Sequence, residues 1–155
     1  MPSRDVLDNI KVGRGLSPII QTNSDAALVT QIADTQGYDS FSFIIITAGL
    51  TDVDAVFAVT MDEGNSPTLA DATAVASYDL LSGTHGTAAL TAASFTFAND
   101  DSLMRIGYIG NKRYVRLTIT PTGNLAGAAP LAVFTMQGHP DYRGVGMTTP
   151  QYLGP

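Results

Sequence analysis

Alternation with period two is the feature that most constrains this chain. Ser40-Phe41-Ser42-Phe43 alternates polar and apolar side chains, then runs into Ile44-Ile45-Ile46, the pattern of a strand that becomes buried on both faces. Phe57, Val59 and Met61 line one side of the next segment, with Val56, Ala58 and Thr60 on the other. Ile106 and Tyr108 continue the pattern within residues 103–109. Val115, Leu117 and Ile119 alternate with Arg116, Thr118 and Thr120, and Ala132, Phe134 and Met136 alternate with Val133, Thr135 and Gln137. Shorter strands are expected at Ala27–Ile32, Val75–Leu81 and Ser94–Phe97.

Turn chemistry separates these runs. Asp62-Glu63-Gly64-Asn65-Ser66-Pro67, Ser82-Gly83-Thr84-His85-Gly86, Gly110-Asn111-Lys112 and Pro121-Thr122-Gly123-Asn124 supply the residues that reverse a backbone. Ile109-Gly110-Asn111-Lys112-Arg113 reads as a hairpin joining the strands on either side. Eight short strands with frequent turns predict an all-β fold, a two-sheet β-sandwich of jelly-roll-like type. Eighteen threonines agree with that. Residues 69–77 pull both ways: their alanines favour helix, whereas Thr73, Val75 and the flanking turns favour strand, and a strand is expected. Both ends lack a sustained period. Residues 1–24 are expected to form an N-terminal arm, 25–138 the sandwich, and 139–155, with three glycines and three prolines, a C-terminal tail.

At 155 residues the chain has the size of one domain, and 14% charged residues is well under the usual share. The surface must therefore be covered largely by small and hydroxyl side chains. The net charge of −6 argues against nucleic-acid binding by bulk attraction. No apolar run approaches the roughly 18 residues that span a bilayer, so no membrane partner is expected. The first residues lack the apolar stretch of a secretory signal, and Sec-type export is not expected. With no cysteine there is neither a disulfide framework nor a thiol nucleophile.

The charges are unevenly spread. Between Gly15 and Met104 there is no lysine or arginine, yet eleven acids fall there. Residues 105–155 hold Arg105, Lys112, Arg113, Arg116 and Arg143 against Asp141 alone. A ninety-residue stretch without a cation cannot neutralise itself, which points to a molecule with one acidic and one more basic side.

Catalytic chemistry finds little support. His85 and His139 lie in turn sequence without metal-ligand spacing, there is no GxSxG elbow, and isolated glycine pairs at 13–15 and 107–110 match no phosphate-binding motif. A chain with no Trp and a single Glu is poorly equipped as a sugar-cleaving cleft. Asp52 with Asp54, Asp62 with Glu63, and Asp100 with Asp101 pair hard oxygen ligands in or near loops, but no EF-hand or nonapeptide repeat surrounds them. The expectation is no enzyme, no catalytic residue, no metal and no cofactor.

Three stretches carry a resemblance. Gly37-Tyr38-Asp39-Ser40-Phe41-Ser42-Phe43-Ile44-Ile45-Ile46 is followed by an acidic loop and a segment ending Tyr78-Asp79-Leu80-Leu81-Ser82-Gly83. Next comes Ile106-Gly107-Tyr108-Ile109-Gly110-Asn111-Lys112-Arg113-Tyr114-Val115-Arg116-Leu117, and last Ala132-Val133-Phe134-Thr135-Met136-Gln137-Gly138-His139-Pro140. Together they resemble the small head-associated proteins of tailed bacteriophages, over about residues 25–140. The resemblance implies a jelly-roll decoration (cement) protein that sits as a homotrimer on the outer surface of the capsid and bridges neighbouring major capsid proteins. It carries over no catalytic residues. On that reading the arms make the partner contacts, through Arg4, Lys11 and Arg14 at one end and Tyr142, Arg143 and Tyr152 at the other. The alternatives are a β-sandwich module binding carbohydrate or another ligand, with or without calcium, and a phage tail or baseplate component of the same fold.

Overall fold

The computed structural model describes residues 9–82 and 88–140. Eleven strands account for most of them: β1 (Ile10–Thr22), β2 (Leu28–Val29), β3 (Ala33–Asp34), β4 (Tyr38–Thr47), β5 (Val56–Gly64), β6 (Thr73–Ala74), β7 (Leu80–Leu81), β8 (Phe95–Thr96), β9 (Leu103–Tyr108), β10 (Tyr114–Thr122) and β11 (Ala128–Pro140). One sheet has the order β1-β11-β4-β9-β7. The other has the order β2-β10-β5-β6, with β3 also pairing β10 and β8 also pairing β5. Every pairing is antiparallel. The result is the expected all-β two-sheet sandwich.

The core forms where alternating residues of the two sheets meet. Phe41, Phe43 and Ile45 of β4 face Phe57 and Val59 of β5 and Leu117 and Ile119 of β10 within one buried cluster. Phe57 stacks on Phe95 with ring centres 4.6 Å apart. Burying each such side chain stabilises the fold by about 1.5–3 kcal/mol. The cluster draws its rings and aliphatic chains from both sheets.

Several expectations need correction. Residues 109–113 do not form a hairpin. β9 pairs with β4 and β7, while β10 pairs with β5, β2 and β3, so the connection crosses from one sheet to the other. The Tyr108 hydroxyl holds that crossing: it accepts the Lys112 N–H at 2.8 Å and donates to the Glu63 carboxylate on β5. The expected N-terminal arm is also shorter than its boundary at residue 24, because Ile10–Thr22 is a long edge strand of the sandwich. Its period was hidden by two register shifts against β11, between Arg14 and Leu16 and between Leu16 and Ile19. Gly13 lies so close to the Thr135 hydroxyl that a Cβ would collide with it. At the other end β11 runs through Pro140, past the expected boundary at 138.

The smaller elements also differ in extent. The strand expected over 27–32 is a two-residue β2, after which Thr30 keeps its tie to β10 by donating its N–H to the Leu117 carbonyl and accepting the Leu117 N–H on its hydroxyl. Of residues 69–77, only Thr73–Ala74 pair as strand. A 3-10 turn at Ser77–Asp79 breaks the run expected over 75–81, leaving Leu80–Leu81 to pair with β9. The alanine-rich segment Ala88–Ala93 forms a short helix, α1, that packs on β9 and β5. Its alanines have high helix propensity, and Ala89 and Ala93 are small enough to seat against the sheet.

Candidate interaction face

Strand register decides which side chains look outward. Across the five-stranded sheet Val12 stands opposite Met136, Arg14 opposite Phe134, Phe134 opposite Ile44, Ala132 opposite Ile46, and then Ile44 opposite Arg105 and Ile46 opposite Leu103. Directly opposed residues share a face. Because Phe43, Ile45, Ile106 and Val133 point into the core, this second set points away from it. The outer face therefore carries a run of apolar side chains, with Ser40 and Ser42 toward its other end, and Leu103 and Val12 are 62% and 52% exposed. Pro18, Ile19, Ile20, Ile46, Pro130 and Ala132 line a shallow groove of about 400 Å³ at one margin. Ile20 is 65% exposed there.

The other sheet is the internal control. Its outward set pairs Thr60 with Thr118, Ala58 with Thr120 and Asp62 with Arg116. Arg116 donates to Asp62 at 3.1 Å, and at the edge Arg113 makes a two-point contact with Asp34 at 2.9 and 2.7 Å. That face is hydroxylated and self-neutralised. The apolar face instead carries two cations by register, Arg14 and Arg105, and no carboxylate. Among the described residues Arg105 has no ion-pair partner. Large exposed apolar patches on a well-packed domain mark contact surfaces.

The predicted arm residues fall into two groups. Arg4, Tyr142, Arg143 and Tyr152 lie outside the described residues. Lys11 and Arg14 lie on β1, inside the sandwich. The Lys11 ammonium sits 5.5 Å from the centre of the Tyr38 ring. The Gln31 amide, oriented to satisfy both its ends, accepts from the Arg14 guanidinium at 3.3 Å and donates to the Arg14 carbonyl at 3.2 Å. Both residues thus help fasten an edge strand. The residues of the apolar face that sequence reasoning missed are Ile20, Ile46, Leu103 and Arg105. The available signal was the run of isoleucines in β4, apolar at both parities, which demands cover on two sides.

Asp52 and Asp100 of the two loop pairs, and both members of the Asp62–Glu63 pair, are occupied in structural work. The Asp52 carboxylate accepts the N–H groups of Asp54 and Ala126, and Asp100 accepts that of Leu50. Asp62 and Glu63 point to opposite faces, the first to Arg116 and the second into the interior beneath Tyr108. Among the described residues no three His, Asp or Glu come together. The rings of Tyr38 and Tyr114 are covered by Lys11 and Arg113 and Tyr108 is buried, whereas Tyr78 is 72% exposed. His139, with φ +54°, meets the Ser40 hydroxyl at 3.3 Å, whereas His85 lies outside the described residues.

No protein-family model matches this chain. No curated protein matches it either. Among solved structures it is similar to the exported protein XepA of PBSX, with a TM-score of 0.53 at 11% identity. That match takes in 99% of this chain and 46% of XepA, so the chain spans less than half of XepA's length. The coat protein of tobacco streak virus gives a TM-score of 0.39 at 10% identity, over 99% of this chain and all of that one. The CBM22-1–GH10 modules of Clostridium thermocellum xylanase 10B give 0.38 at 9% identity, over 90% of this chain and 28% of that one. Of these three scores, the first alone reaches the level of a shared fold.

Proposed function

We propose that this chain is a non-enzymatic structural protein of a virus particle, a decoration or cement protein that sits on the outside of a phage head and bridges neighbouring major capsid proteins. The observation that carries this reading is the bare apolar face of the five-stranded sheet. A sandwich with a finished core gains nothing in its own stability from Ile20, Ile46, Leu103 and Met136 on its surface. Buried against a neighbour, each gives the part of the about 1.5–3 kcal/mol of full burial that corresponds to its still exposed surface. On a symmetric shell such contacts repeat and add through avidity. The resemblance of residues 25–140 to head-associated phage proteins gives the same partner class. In this reading the chain also associates with itself as a homotrimer, and Arg4, Tyr142, Arg143 and Tyr152 extend the contact beyond the sandwich. In this reading the chain performs no reaction; Asp25, Asp52 and Asp100 hold loops by accepting backbone N–H groups, and Glu63 holds a strand crossing through Tyr108.

The test is cosedimentation of the purified chain with phage heads that lack it. The native chain is expected to pellet with the heads, and a variant carrying Ile46→Asp and Leu103→Asp to bind at least about tenfold more weakly while keeping its β-sheet circular-dichroism spectrum. Equal binding by both, or binding only to tails, overturns the reading.

A further inference from the structure

A second surface complements the apolar face. At one end of the sandwich the loops 23–27, 48–55, 97–102 and 123–127 come together. Asp25 accepts the N–H groups of Gly123 and Asn124, Asp52 that of Ala126, and Asp100 that of Leu50, and Phe97 donates its N–H to the Ala55 carbonyl. These loops bring five aspartates to one end, at positions 25, 52, 54, 100 and 101, without a lysine or arginine. They also present apolar side chains: Leu125 and Val53 are 65% and 63% exposed, and Phe97 is partly exposed. The carboxylates of Asp54 and Asp101 have no hydrogen-bond or ion-pair partner among the described residues.

The two surfaces are matched in kind. One is apolar with two arginines and no acid, and the other is apolar with five acids and no cation. Neither can pair well with a copy of itself, since like charges would meet in a desolvated contact. We infer that the occupant of the apolar face is the acidic loop end of a second copy of this chain, with Val53 and Leu125 seated among Ile20, Ile46 and Leu103, and with Asp54 and Asp101 toward Arg105. This rests on the reading that the apolar face is buried in an assembly, and it names what buries it. Because the patches lie on the end and the side of the sandwich, the contact is head-to-tail. Repeating it turns each copy relative to the last, which yields a closed ring when the turn closes.

Light scattering after gel filtration tests this with two variants, both on exposed positions. Arg105→Glu spoils the face and leaves the end intact. Asp54→Lys with Asp101→Lys spoils the end and leaves the face intact. The native chain is expected at two or more times 16.2 kDa, and each variant alone as a monomer. Each variant's self-association should be weakened at least about tenfold. An equimolar mixture is expected to associate again, since an intact face then meets an intact end and the reversed charges of the two spoiled surfaces are once more opposite. A native chain that stays monomeric at high concentration, a mixture that stays monomeric, or an end variant that still self-associates overturns the inference. A monomer that nonetheless binds heads leaves the proposed role standing. A ring that ignores heads removes the proposed role and leaves the contact.

Discussion

Tyr108 and Glu63 form the most consequential contact between individual residues. Glu63 is the chain's single glutamate, and it is buried between the sheets as the acceptor for the Tyr108 hydroxyl. Burial first, and then the hydrogen bond to Glu63, push the Tyr108 phenol well above its ordinary value of 10.0. A group held neutral in this way contributes its stability in full below pH 10 and loses it as the pH rises further. Tyr108→Phe is therefore expected to lower stability by about 1–3 kcal/mol at neutral pH, because it strands a buried carboxylate. The same variant should flatten the alkaline limb of a pH–stability profile measured by urea unfolding. Asp34 shows the opposite sign. The Arg113 fork holds its carboxyl below the usual 3.8, so that pair stabilises above this value and is lost as the pH falls through the native value. Asp34→Asn should make acid unfolding less steep below about pH 4 and leave the alkaline limb alone. Part of this was legible beforehand and part was not. Asp62 and Glu63 look alike in sequence, and only strand parity sends one to solvent and the other to the core.

The elements show where sequence patterns speak clearly and where they do not. The centres of β4, β5, β10 and β11 were readable from their alternation, but β5 and β10 run on into residues 62–64 and 121–122 that were expected as turns, and β11 extends to 128–140 around the alternation at 132–137. β1 carries the same kind of pattern, but two register shifts change its parity within thirteen residues. The eye then finds no period and sees an arm. The β9–β10 connection misled for a different reason. Gly110-Asn111-Lys112 suits a reversal of either sort, and nothing local says whether the next strand returns to the same sheet or crosses to the other. The two-residue strands depend on partners distant in sequence, as Leu28–Val29 does on Thr118–Ile119. The apolar face was hidden in plain alternation, since it needs both parities of β4 and the outer parity of β9 and β11 in one view. At the acidic end, Gly123 holds φ +80° with its Cα facing the Asp54 carbonyl, where a Cβ would come within 2.7 Å. Gly123→Ala is expected to cost about 1–2 kcal/mol or more through left-handed strain, read as a lower midpoint of thermal unfolding. Because it displaces the 52–54 loop, it should weaken self-association as well.

The whole molecule is asymmetric in a way that its overall charge of −6 conceals. One sheet shows water a self-neutralised, threonine-rich surface. The other shows it valine, isoleucine, leucine and methionine bordered by two arginines, and the loop end gathers aspartates. Five of the eleven acids in the stretch without cations gather at that loop end, so the division lies between an end and a face rather than between two halves. Association built on such complementary charge should weaken with salt, as the screening length shrinks from about 10 Å at 0.1 M to about 3 Å at 1 M. Its apolar part should persist, so the expected outcome by light scattering is partial rather than complete dissociation. The most direct test of the account is covalent footprinting of the free chain against the chain bound in its particle. The account predicts that Ile20, Ile46 and Leu103 lose their labelling on assembly while Val29 and Thr118, on the opposite sheet, keep theirs. Undiminished labelling of the apolar face, with protection on the threonine-rich one, would contradict it.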